Sequence, residues 1–171
     1  MTLPLLPFNM ILAAFLLTTL GCKTTEQKKK DKEAAFMRFH LETNPDGTHF
    51  NYPVTVYRGN PVRIQIERDA ALDEGFMAKA EVVTADEFGN FAIKITFDDT
   101  GRQRLNYLTS SYKGRHLVVL AKWTESRALA APLLKRHITD GVLVFTPDAT
   151  REESERIVLG LNNVIKNLKK P

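Results

Sequence analysis

Residues 96–120 read TFDDTGRQRLNYLTSSYKGRHLVVL, and this stretch decides the fold. Its opening residues close a β-rich run, FAIKITF at 91–97. Asp98 and Asp99 follow where a helix is expected to start. A carboxylate there accepts backbone N–H groups that lack a partner in the first turn, and its charge suits the positive helix end. Leu105, Leu108 and Tyr112 recur at i, i+3 and i+7 and form one apolar stripe. Gly114 is a natural C′ residue. HLVVLA at 116–121 then reads as a buried strand.

Upstream, residues 79–86 and 91–97 flank Glu87-Phe88-Gly89-Asn90, a hairpin turn. YPVTVY at 52–57 places Val54 and Val56 on one face of its strand, and VRIQI at 62–66 alternates strictly, so Val62, Ile64 and Ile66 point to one side. Gly59-Asn60-Pro61 between them marks a second hairpin. FMRFHLE at 36–42 is a strand whose apolar residues are Phe36, Met37, Phe39 and Leu41; Asn44-Pro45-Asp46-Gly47 ends it. Downstream lie ALAAPLL at 128–134 and VLVF at 142–145. A last helix opens at Thr150, with Glu153 at capping-box spacing, and buries Ile157, Leu161, Ile165 and Leu168. Helices that do not alternate with strands argue for an α+β fold: a mostly antiparallel sheet with two main helices packed on one face. One domain, 36–171, holds all of it.

The N-terminal residues are of another kind. Residues 1–22, MTLPLLPFNMILAAFLLTTLGC, carry no charged side chain. A short apolar core followed by small residues has the shape of a secretory signal. Cys22, the single cysteine, directly follows Leu20-Gly21. This resembles the lipobox of bacterial lipoproteins, with Thr19 where Leu is usual and Leu20 where a small residue is usual. The resemblance implies a signal over 1–21, a lipid on Cys22 and membrane anchoring through it. Residues 23–33, KTTEQKKKDKE, hold five lysines and no apolar residue. Such a stretch cannot offset chain entropy by burial, so 22–35 is expected to be a solvated tether. Lys23, rather than Asp, follows the cysteine and slightly favours the outer membrane.

Composition narrows the function classes. The 171 residues are 43% hydrophobic and 26% charged, which excludes a wholly disordered chain and a multispan membrane protein. One cysteine excludes an internal disulfide framework and a Cys-rich zinc site. The formal charge of +4 suggests an acidic partner. Half of that excess lies in the tether, so the folded part argues against nucleic acid.

The order of motifs over 96–120, then AAPLLKRHITDG at 130–141 and ATREESERIVLGLN at 149–162, resembles one family. It is similar to the head subdomain of the first periplasmic domain of SecD, a subunit of the bacterial protein-export machine. The matching residues include Phe97, Asp98, Gly101, Leu108, Thr109, Gly114, Pro132, Ile138, Gly141, Thr150 and Glu153. The resemblance implies a SecD-head-like fold and an extracytoplasmic setting. In place of the family's Asp-Gly hairpin turn stands Lys122-Trp123-Thr124-Glu125-Ser126-Arg127, read as a longer, bulkier loop.

No constellation spells out catalysis. His40, His49, His116 and His137 form no ligand pair, and Ser110-Ser111 lacks a nucleophile elbow. Asp98-Asp99 and Glu152-Glu153 are explained by helix capping. No cofactor and no metal are expected. Trp123, with Lys122 and Arg127 beside it, is the candidate partner-binding group, because an exposed indole buries much area on binding. Exposed sheet edges offer a second route, by strand addition to an extended peptide. The expectation is a non-enzymatic, lipid-anchored extracytoplasmic protein that binds an envelope protein or an exported, unfolded polypeptide. The alternatives are an envelope structural or assembly factor unrelated to export, or a hydrolase with an unrecognised site.

Overall fold

The computed structural model describes residues 32–170. Within them the order is β1 (Phe36–Leu41), β2 (Asn51–Val56), β3 (Val62–Glu67), β4 (Met77–Thr84), β5 (Phe91–Phe97), α1 (Asp99–Ser111), β6 (Leu117–Lys122), β7 (Ser126–Ala130), β8 (Val142–Phe145) and α2 (Arg151–Leu168). The fold is α+β, and every strand pairing is antiparallel. The strands divide among three sheets, ordered β1-β6-β7, β2-β3 and β4-β5-β8. The signal, Cys22 and the tether as far as residue 31 lie outside the described residues.

Alternation explains why the β2–β3 hairpin does not extend the first sheet. Both faces of β6 are apolar. Leu117, Val119 and Ala121 turn toward the main core with the helices, while Val118 joins a second cluster with Val56, Ile64 and Ile66 of the hairpin. A strand covered on both faces has no polar side, which is why 116–121 reads as a continuous apolar run. The main core joins Met37, Phe39 and Leu41 of β1 to Ile93 and Ile95 of β5, Leu105 of α1 and Leu161 of α2. Phe39, fully buried, meets Phe97 and Phe145 edge-on at 5.7 and 6.4 Å and so ties the first sheet to the third. Phe36, grouped above with the apolar residues of β1, alternates to the opposite side and is 40% exposed.

The caps follow the sequence in part. Asp98 accepts from the Gly101 N–H at 2.9 Å, as expected. Gly101 has no room for a side chain, since a Cβ there would come within 2.5 Å of the Phe76 carbonyl oxygen. Tyr112, not the residue before Gly114, closes α1. At α2 the Thr150 hydroxyl accepts from Glu153 N–H at 3.1 Å. The return half of the capping box is missing, because the Glu153 carboxylate is held by Arg127 and Arg58. The strand read over 128–134 ends at Ala130; beyond it the chain keeps an isolated bridge between His116 and Leu133. The supposed long loop is a three-residue turn, with Lys122 paired to Ser126 across it.

The folded unit also begins before residue 36. The Glu33 carboxylate accepts from Trp123 Nε1 at 2.8 Å and from the Arg156 guanidinium at 2.9 Å. Ala35 is fully buried, and a Cβ at Gly160 of α2 would lie 2.8 Å from its backbone nitrogen. Composition alone had placed residues 33–35 in the tether, yet they are packed.

Candidate functional site

The three residues proposed for partner binding go to different places. Trp123 is half-buried against the main core, with its N–H spent on Glu33 and the Arg156 guanidinium over its ring at 5.8 Å. An indole used in this way is a structural anchor rather than a free docking group. Arg127 donates to the Asp148 carbonyl at 2.8 Å and pairs with Glu153. Arg58 completes this cluster through Glu153 at 3.2 Å and a backbone N–H to Asp148 at 2.8 Å. It clamps the β2–β3 turn, β7 and the start of α2 together. Partial burial pushes the Glu153 carboxyl up, and the two guanidiniums outweigh it, holding the group below the usual carboxylate range. Lys122 alone stays exposed, on the other side of the sheet.

His116, His137 and Ser110 are likewise occupied singly. His116 gives its backbone N–H and faces its ring nitrogen to the Glu42 carboxylate at 2.7 and 2.8 Å. His137 meets Asn106 at 2.6 Å, and Ser110 donates to the Tyr107 carbonyl at 2.9 Å. Asp99 pairs with Arg102 at 3.1 Å. Each of these partners supports the fold, and among the described residues no hydrogen bond aligns a nucleophile with a base.

The feature with binding geometry is the third sheet, whose outer strands are β4 and β8. Phe97 N–H donates to the Gly141 carbonyl, so the register turns the backbone N–H and C=O groups of Leu143 and Phe145 toward β5. Those of Val142 and Val144 turn outward. Val142 N–H is met by the Asp140 carboxylate at 3.1 Å. Among the described residues no strand covers this edge. Val144, 51% exposed, stands in the wall of two clefts. One, about 370 Å³, also has Tyr57, Ala130, Pro132 and Phe145; the other, about 260 Å³, has Leu133, Ile138 and Val142. An outward row of hydrogen-bonding groups between apolar walls is what an added extended strand requires.

The β4 edge is closed at Ala80. Its outward groups at Ala80 are taken by one side chain of α2: Asn162 accepts from Ala80 N–H at 3.0 Å and donates to its carbonyl at 2.8 Å. Sequence reading missed Asn162; its only trace was an amide within an otherwise apolar helix face.

Among the described residues no helix is long and apolar enough to cross a membrane. The chain is similar in fold to a structure of SecDF, described as a membrane component that enhances protein export. The TM-score is 0.57 at 17% identity, covering 84% of this chain and 70% of that one. A crystal structure of SecDF in its super-membrane-facing form gives a TM-score of 0.58 at 19% identity, with 84% of this chain and 21% of that one covered. No curated protein matches the chain. Residues 51–163 match the model of the SecDF P1 head subdomain, and the chain belongs to that family.

Proposed function

We propose that this chain is a non-enzymatic, extracytoplasmic lipoprotein that serves protein export by holding an extended segment of an exported polypeptide, or of an envelope protein, on the outer edge of β8. The family membership supports a relation to export. The observation that carries the reading is the β8 edge, which no strand of the described residues covers, with Val144 between two apolar clefts. Strand addition there takes its affinity from main-chain hydrogen bonds and its modest selectivity from the clefts, which suits a client met unfolded. Anchoring through a lipid on Cys22, across the lysine-rich stretch, keeps the domain near the membrane.

Two experiments test this reading. A photocrosslinking amino acid at position 144 in living cells is expected to trap polypeptide, while the same probe at Lys79 on the closed edge traps none. A blank at 144, or equal trapping at both, removes the β8 reading. Metabolic labelling with a fatty acid is expected to mark the wild type and not Cys22→Ala; label kept in the variant removes the anchor.

A further inference from the structure

The outer face of the first sheet carries a second feature, on the side away from the helices. A cleft of about 440 Å³ is bounded by β1, the end of β6 and the β2–β3 hairpin. Phe36, Arg38, Tyr52, Arg68, Leu120 and Lys122 line it, and no carboxylate does. Lys122 faces Phe36 in register and Arg38 faces Leu120, so the two cations stand diagonally across neighbouring strands. Diagonal neighbours lie about 7–8 Å apart, within reach of one carboxylate for side chains this long. Neither the Arg38 nor the Lys122 side chain has a hydrogen bond or ion pair among the described residues, although other exposed cations of the domain do.

The remaining cleft residues give the site its shape. The Arg68 guanidinium lies over Tyr52 at 5.9 Å and gives its Nε–H to the His49 carbonyl at 2.7 Å, which fixes its position and leaves its outer N–H groups unspent. His40 is buried below, its Nδ1–H on the Glu67 carbonyl at 2.9 Å. Burial holds this imidazole below its ordinary pKa, so it adds no charge at neutral pH. Phe36 and Tyr52 stand as aromatic walls above a Leu120 floor.

We infer that this cleft binds a short acidic segment of extended polypeptide, with carboxylates on Arg38 and Lys122 and an apolar side chain on Leu120 between the aromatic walls. Charge complementarity selects the occupant. A free inorganic anion would leave the aromatic walls bare, and a flat lipid surface would not reach the floor. The cleft runs along β1 from Phe36 to His40, so at about 3.3 Å per residue it suits a segment of about five residues. The site is separate from β8 and does not rest on the reading of that edge.

The full chain in nonionic detergent, titrated with labelled eight-residue peptides, tests the site by fluorescence anisotropy. A peptide alternating Glu and Leu is expected to bind at least tenfold tighter than its Gln–Leu counterpart. Arg38→Ala with Lys122→Ala removes that difference, and Arg38→Glu with Lys122→Glu transfers the preference to a Lys–Leu peptide. Both positions are exposed, so folding is retained, and Val144→Pro leaves the preference intact. Equal binding of the Glu and Gln peptides overturns the proposal. So does a preference that survives in the Arg38/Lys122 variants. Loss confined to vesicles of anionic phospholipid, with no peptide binding, overturns it in favour of a lipid headgroup.

Discussion

The two edges of the third sheet face the same physical problem and answer it in opposite ways. On β4 the outward backbone groups of Ala80 are closed by the Asn162 amide, and Lys79, Glu81 and Lys94 form an ion-pair ladder beside them. Charged side chains and covered backbone are how proteins discourage edge pairing. On β8 the sequence is VLVF, with no charge at all, and Val144 stands open to solvent. One edge is protected, then, and the other is left available within the same sheet. The difference teaches that openness at β8 is a local property, not a general looseness of the sheet.

Breaking the closed edge should have the largest effect on the fold. Asn162→Leu strips both partners from Ala80, which is only 2% exposed. Leaving buried backbone groups unpaired is expected to cost about 2 kcal/mol, read from chemical denaturation. It should also make β4 capture extended peptide as β8 does. Unchanged stability would mean that water replaces the amide and that β4 was never sealed by it.

The open edge should respond in binding and not in stability. Val144→Pro removes an outward N–H that no described strand uses, so the denaturation midpoint should hold while peptide crosslinking from a probe at Leu133, in the cleft beside the same edge, falls about tenfold, close to 1.4 kcal/mol. A lost fold with retained crosslinking would reverse the comparison. Glu81→Ala is a smaller test: its ion pairs with Lys79 and Lys94 lie at the surface, and the denaturation midpoint should not move measurably.

Acid should weaken the domain without altering the contrast between the edges. Partial burial disfavours the charged forms of Glu153, Glu42 and Asp98. Arg127 and Arg58 outweigh it at Glu153, the His116 N–H at Glu42, and the Gly101 N–H with Lys169 at Asp98, so all three groups are lowered. A carboxyl lowered in the folded state stabilises above its unfolded value, about 4, and that contribution disappears as pH falls through the folded value. Denaturation midpoints between pH 7 and pH 2.5 should therefore drop on the acid side of about pH 4. A flat profile would remove these pairings from the stability of the fold.

What could be read in advance follows sequence distance. The Asp98 cap, the Leu105–Leu108 stripe and the FAIKITF and VLVF strands depend on neighbours a few residues away, and each stands where the sequence placed it. The pairing of Glu33 with Trp123 and Arg156 spans 90 and 123 residues, and that of Arg127 with Glu153 spans 26. Nothing local distinguishes such charges from solvated ones. Trp123 therefore looked available, and Glu33 looked like tether. The division of the strands into three sheets was hidden for a similar reason: period-two alternation says that a strand is half-covered, not what covers it. The open β8 edge was legible only as a type of surface, because pairing partners are a matter of topology.

The Glu33 contacts also have a mechanical meaning. A pull arriving from residue 32 meets the Glu33 clasp on Arg156, Trp123 and Asn163 before it meets β1. Behind that clasp, β1 is held to β6 by six consecutive register pairs, and its Met37 and Phe39 are sunk in the core. Load is thus passed at once to α2 and to the β6–β7 hairpin, and the clasp acts as a strain relief that yields before the sheet does. A force entering at residue 32 is thus gripped close to the body of the domain, at α2 rather than at the first strand.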